Sequence, residues 1–188
     1  MKSLGFALVF TALAACGSET TSFRTTDKSD PEHSPTAATY DVRRGDQLVA
    51  QVYVSSNGGY IGNSEEPMTH VGFEIRNASR GPIVFDSEAL ALVLFDNKGA
   101  TLPAPSFTAI TPLGPSQVPI AAATTVTLDG YFKIPVRPRV VAGMRIQWSL
   151  RMGDERYLQT TSFTRDDDQP VIDYRRPPES GTTVHAGS

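Results

Sequence analysis

The sequence predicts an all-β protein, an antiparallel β-sandwich of about seven to nine strands. Three observations predict it. Val71, Phe73 and Ile75 alternate with Gly72, Glu74 and Arg76, and Met144, Ile146, Trp148 and Leu150 alternate with Arg145, Gln147, Ser149 and Arg151. A period of two gives a strand one dry face and one wet face. Turn-forming clusters recur between the apolar runs, at 77–82, 96–99 and 152–155, and Pro82 has no N–H to give a central ladder. No window of useful length shows a helical period, so helices are expected to be short or absent.

Taken in order, residues 1–15 read as an export signal: Lys2, an uncharged apolar run from Leu4 to Ala15, and small residues before Cys16. The run is shorter than the roughly 20 apolar residues that cross a bilayer, so it is expected to be cleaved rather than to span. Leu13-Ala14-Ala15-Cys16 resembles the lipobox of bacterial lipoproteins, an aliphatic residue and two small residues before an invariant Cys. The resemblance implies a diacylglycerol on the Cys16 thiol, cleavage just before it, and often a further acyl chain on the new amino terminus. Each buried methylene contributes ~0.8 kcal/mol, and two chains or more make a stable anchor. Gly17 replaces the aspartate that marks inner-membrane retention in enterobacteria. The implied location is therefore the outer membrane, facing the periplasm or the cell surface.

Cys16 is also the single cysteine. An intramolecular disulfide is excluded although the compartment would permit one, and stability must come from packing. The formal charge of −3 is mild and the basic residues are scattered among acidic ones. No phosphate-tracking surface is indicated, and nucleic acid is not an expected partner.

Residues 16–38 are rich in Ser, Thr, Asp and Pro with Phe23 as their one aromatic residue. They read as a lipidated Cys and a flexible tether that holds the domain clear of the headgroups. The sandwich is expected over 39–165 and a polar, largely disordered tail over 166–188, where Val171, Ile172 and Tyr174 are candidates to dock locally. Within the sandwich, 40–54 reads as one strand, with Gly45-Asp46 as a bend or bulge and Leu48, Ala50, Val52 and Val54 sharing a face. Ser55-Ser56-Asn57-Gly58-Gly59 carries the Asn-Gly signature of a tight hairpin. Residues 90–95 are apolar on both faces, as in a strand flanked on each side.

Residues 101–119 hold five prolines and can be at most an edge strand with loops, most simply a crossover between sheets. Pro103, Pro105, Phe107, Pro112 and Pro115 mark this segment as the candidate partner-binding loop, since long loops on a rigid sandwich often carry function. Residues 124–134 return to alternation up to Pro135. The last two strands, 144–151 and 156–164, are predicted to form a hairpin, with Trp148 as a core anchor.

The strand count and spacing suit an immunoglobulin-like sandwich. The strand 71–77 ending in Asn77, the Pro82-Ile83 strand, the strand ending at Asp96 and Gly99, and Gly130-Tyr131-Phe132-Lys133-Ile134-Pro135 together resemble the telokin-like domains of unknown function found in bacterial lipoproteins. The resemblance covers 38–164; it implies a fold and a location but no active site.

Chemistry has few candidates. Met68 and His70 stand two apart, on one face of a strand, and a thioether with an imidazole suits copper; a surface His at a strand entry is the plainer reading. Asp166-Asp167-Asp168 offers carboxylates to calcium, or is a solvated run opposite Arg175-Arg176. A serine triad would have His70 as its sole structured imidazole, since His33 lies in the tether and His185 in the tail. Glu65, Glu66 and Glu88 sit on unrelated loops, unlike a glycosidase pair. Arg145, Gln147, Ser149 and Arg151, with Arg137, Arg139 and Arg156, form either a basic patch for an anionic envelope polymer or the wet side of a sheet. The sequence therefore points to an anchored, extracytoplasmic, non-catalytic module without a cofactor. Its expected partners are membrane lipid through Cys16 and an envelope protein or polymer. A periplasmic carrier of a small ligand or copper, using Met68 and His70, is the rival reading.

Overall fold

The computed structural model describes residues 20–30, 34–61, 65–111 and 116–166. Residues 1–15, read above as an export signal, Cys16, His33, Pro112, Pro115, Asp167, Asp168 and residues 169–188 lie outside the described residues. The strands are β1 (Thr20–Thr21), β2 (Phe23–Thr25), β3 (Ser29–Asp30), β4 (Ser34–Arg44), β5 (Gln47–Ile61), β6 (Pro67–Asn77), β7 (Ile83–Asp86), β8 (Ala91–Phe95), β9 (Ser106–Thr111), β10 (Gln117–Ile120), β11 (Thr125–Lys133), β12 (Gly143–Met152) and β13 (Glu155–Arg165). Short 3-10 turns at Ser87–Ala89 and Pro138–Val140 are the helical elements among the described residues.

The strands form two antiparallel sheets. The first is ordered β3-β4-β5-β6-β11-β9, with β1 beside the end of β5; the second is ordered β10-β7-β12-β13-β2, with β8 beside the start of β12. Their inner faces share one core. Val52, Val54, Val71, Phe73, Ile75, Leu128 and Phe132 from the first sheet meet Ile83, Phe85, Leu94, Met144, Ile146, Trp148 and Leu150 from the second. Phe73 bridges the layers, with its ring centroid 5.0 Å from that of Phe85 and 6.4 Å from that of Trp148. The expected all-β sandwich and the β12–β13 hairpin are present, the latter in register from Gly143↔Thr164 to Met152↔Glu155.

The thirteen strands among the described residues exceed the expected number, because two segments without strong alternation are used to close the sides of the sandwich. Residues 20–30 were expected to be tether. Instead the chain pairs with the first sheet at β1, crosses to the second at β2 and returns at β3, burying Phe23 in the core. On the other side the Pro-rich segment runs beside β8, crosses to become β9 on the edge of the first sheet, and ends as β10 on the edge of the second. Leu102, Ile110 and Ile120 point into or against the core along this path.

Three local expectations are corrected. Gly45-Asp46 is not a bend in one strand but the turn of the β4–β5 hairpin, with Gly45 at φ +58°. Asn57-Gly58 is not a hairpin turn; β5 runs through it with a bulge between Ser55 and Gly58. The glycines serve close approach instead, since a Cβ on Gly58 would lie 1.8 Å from the carbonyl oxygen of Thr21, and Gly58 has φ +94°. Glycine is the residue that tolerates both. Finally, β8 is not covered on both faces: Leu92 and Leu94 face the core, whereas Ala91 and Val93 are exposed. Its continuous apolar run arises because the outer face of this sheet is wet yet carries Ala91 and Val93.

At the centre lies Trp148, fully buried. Its indole N–H donates to Thr161 Oγ1 at 2.9 Å, and the Tyr40 ring packs edge-on at 5.4 Å. The Tyr40 hydroxyl donates to Asp27 Oδ2 at 2.6 Å, and the same oxygen accepts the Ser162 amide at 3.0 Å. Burial, and then the hydrogen bond to Asp27, hold the Tyr40 hydroxyl protonated well above the usual phenol range. Burial does the same to Tyr131 and Tyr157. A folded-state pKa raised in this way contributes stability that is complete below the unfolded value near 10 and is lost as pH rises through the folded one. The unfolding midpoint is therefore expected to fall as pH climbs above about 10. Tyr40→Phe, followed by denaturant melts from neutral to alkaline pH, should flatten that fall; an unchanged slope would show that Tyr40 titrates as freely in the folded chain as in the unfolded one.

Candidate functional site

The candidate partner segment is built on the side closed by β9. Pro103 is exposed, Pro105 half-buried and Phe107 exposed at 42%. Pro105 cannot extend a ladder, so β9 begins at Ser106. Among the described residues β9 pairs with β11 alone, in the register Ser106↔Lys133, Phe107↔Phe132, Ala109↔Tyr131, Ile110↔Gly130 and Thr111↔Asp129. The bulge between Tyr131 and Phe132 leaves Thr108 over and sets Phe107 opposite Phe132, with ring centroids 5.3 Å apart. Phe107 thus covers the rim of the core while presenting one side to solvent. The segment is an edge rather than a free loop, because Leu102, Ile110 and Ile120 pin it at three points.

His70 lies on β6 with its side chain on the outer face, yet it is only 4% exposed. The β5 bulge causes this, placing Ser56 and Asn57 over it. Ser56 Oγ donates to the His70 carbonyl at 2.8 Å, and the Asn57 amide points at His70 Nδ1 at 3.4 Å. On the other side Nε2 meets Asp129 Oδ1 at 2.8 Å and the Tyr131 ring lies 5.1 Å away. Nδ1 as acceptor and Nε2–H as donor define one tautomer with both ring nitrogens used. Gly72 leaves room for this cluster, since a Cβ there would lie 3.0 Å from Ser55 Oγ and 3.4 Å from His70 Cε1.

Met68 shares the outer face with His70, as the spacing predicts, between Tyr60 and Lys133. A metal needs an imidazole lone pair, and that of Nδ1 faces the Asn57 amide. No group of three or more His, Cys, Asp or Glu suited to an ion is found among the described residues. A serine nucleophile is no better served, because neither ring nitrogen meets a serine hydroxyl there. Sequence reasoning missed Asp129 as the partner of His70; the two are 59 apart, and only the β6–β11 register brings them together.

The basic face of the second sheet is committed internally. The Arg145 guanidinium lies over the Phe95 ring at 5.4 Å, Arg151 donates to Gln117 Oε1 at 2.7 Å, and Arg156 donates to Ser149 Oγ at 3.2 Å and to Asp86 Oδ2 at 3.4 Å. Ser149, expected on the wet face, is fully buried beneath Arg156. At the end of the sandwich formed by the β4–β5 and β12–β13 turns and residues 79–83, a cleft of about 570 Å³ is lined by Val49, Ile83 and Met152 with Arg44, Arg80 and Glu155 at its rim. Arg44 spans it, donating to Glu155 Oε2 at 2.8 Å and to the Met152 carbonyl at 3.1 Å.

No helix among the described residues is long and apolar enough to cross a membrane. No known family model matches the chain, and no curated protein matches it. Among solved structures it is similar to a FixG-related protein from Vibrio parahaemolyticus, at 13% identity and a TM-score of 0.40, over 63% of this chain and 97% of that one. It is also similar to Northeast Structural Genomics Consortium target SoR45, at 10% identity and a TM-score of 0.36, over 68% and 93%. Similarity this loose adds nothing to the architecture seen directly.

His70→Ala removes the hydrogen-bond partner of the Asp129 carboxylate and of the Asn57 amide, so it should lower stability by ~0.5–1.5 kcal/mol per hydrogen bond lost. Copper titration of the purified domain should be the same for this variant as for the native chain. A saturable copper site lost on substitution would contradict the assignment of His70 to packing.

Proposed function

We propose that the protein is a lipid-anchored, extracytoplasmic module of the bacterial envelope that binds a partner without catalysis, and that the partner adds an extended segment to β9. The lipobox Leu13-Ala14-Ala15-Cys16 supports the anchor, with the outer membrane as its proposed address. The observation that carries the binding reading is β9 itself: an edge paired on one side among the described residues, bearing the half-exposed ring of Phe107. An open strand edge supplies a row of N–H and C=O groups for strand addition, and an aromatic beside it supplies an anchor. Pro105 before the strand limits how far a partner strand can extend, which favours a short pairing over open-ended stacking.

The carrier reading receives no such support, since neither Met68 nor His70 lines the cleft and the ring nitrogens of His70 are occupied. The test is photocrosslinking in living cells, with p-benzoylphenylalanine at Phe107 or, for comparison, at Leu158, which is exposed on the second sheet. A discrete adduct from position 107 that is absent from 158 is the expected result. No adduct at 107, or the same adducts at both, would overturn β9 as the docking edge. Cys16→Ser, read by mass spectrometry of the mature chain, should abolish acylation; persistence of the lipid would contradict the anchor.

A further inference from the structure

Resting on the anchor reading just given, we propose that the end of the sandwich carrying the 3-10 turn Pro138–Val140 lies directly on the lipid headgroups, so that the domain stands upright on the membrane. The argument begins with the length of chain between Cys16 and the first strand. β1 starts at Thr20, four residues on. Four residues reach at most about 14 Å even when fully extended.

The register fixes which end this is. β1 is antiparallel to β5, with Thr20 opposite Tyr60 and Thr21 opposite Gly59. The amino end of β1 therefore lies at the end of the sandwich where β5 finishes and β6 begins at Pro67. Ile134 is held at this end by its amide, which donates to the Pro67 carbonyl at 2.9 Å. The 3-10 turn packs there as well: a Cβ on Gly59 would lie 3.1 Å from Pro138 Cβ and 3.1 Å from Thr21 Oγ1. Thr21, Gly59, Ile134, Pro138 and Val141 lie together beneath the turn.

What this end presents suits a lipid surface. Arg137, Arg139 and Val140 are exposed, Val140 at 43%, two cations flanking an aliphatic side chain. Basic side chains are attracted to an anionic leaflet, and a small apolar group enters the headgroup layer at little cost. β5 is 15 residues long, so the cleft at its other end stands roughly 45 Å away. The segment first read as a spacer is thus spent inside the fold, and the spacing from the membrane is supplied by the long axis of the sandwich.

The native lone cysteine makes the test clean, because an acylated Cys16 leaves no thiol to compete with an introduced one. Full-length acylated protein bearing Val140→Cys or Asp154→Cys is labelled with a fluorophore and reconstituted in vesicles of phosphatidylethanolamine and phosphatidylglycerol containing a headgroup-linked spin label. Quenching should be several-fold greater at 140 than at 154. Equal or reversed quenching in protein whose mass shows the acyl chains would overturn the upright orientation and leave the anchor standing. A mature chain without acyl groups would overturn both. Crosslinking of two copies through position 140 without quenching would assign this end to self-association and overturn the proposal.

Discussion

The contact on which the rest of the molecule depends is the chain of groups from Trp148 through Tyr40 to Asp27. With one cysteine nothing covalent can hold two sheets together, so side chains from each must meet and leave no gap. Trp148 is buried under Tyr40, and Tyr40 is tied by its hydroxyl to Asp27, which also takes the Ser162 amide. A residue near the amino end of the folded part thereby locks a strand of each sheet. Neighbouring backbone bonds, Thr39 to Lys28 and Thr26 to Ser162, fix the same segment to both layers. The arrangement does the work of a staple by burial and hydrogen bonding.

A second polar device serves the opposite side. Asn77 is fully buried at the end of β6, and its amide nitrogen donates to the carbonyls of Gly81, Ile120 and Ala121 while its oxygen accepts from the amide and hydroxyl of Ser79. A polar group buried this deeply is tolerable because every donor and acceptor has a partner. It joins the 78–82 connection to the end of β10, and so ties the Pro-rich flap to the sheet it closes. Both lateral openings of the sandwich are thus sealed by segments that switch sheets.

Much of this was legible in the sequence. Strands β6, β11, β12 and β13 announce themselves by strict alternation, because each has one face on the core and one in water. The sealing segments do not, and for a physical reason: Phe23 on one side, and Leu102, Ile110 and Ile120 on the other, are isolated apolar residues among Ser, Thr and Pro, each pinning one point rather than lining a face. Composition alone then reads as linker. Asn57-Gly58 misled for a related reason, since its sequence signals a turn whereas the absent side chains of Gly58 and Gly59 make room for Thr21. The candidate site was legible only in part. Phe107 and the prolines stood out as an irregular stretch, but that they form a strand edge follows from pairing across a distance no local pattern encodes, as does the meeting of His70 with Asp129.

Integration of residues 20–30 is the claim that most shapes the picture, because it moves into the fold a segment whose composition reads as linker. Native-state hydrogen exchange read by mass spectrometry measures it directly. The account predicts that amides in this segment, those of Thr26 and Asp27 among them, are protected to a degree approaching that of β5. Exchange there at the rate of an unstructured chain, with β5 still protected, would contradict it.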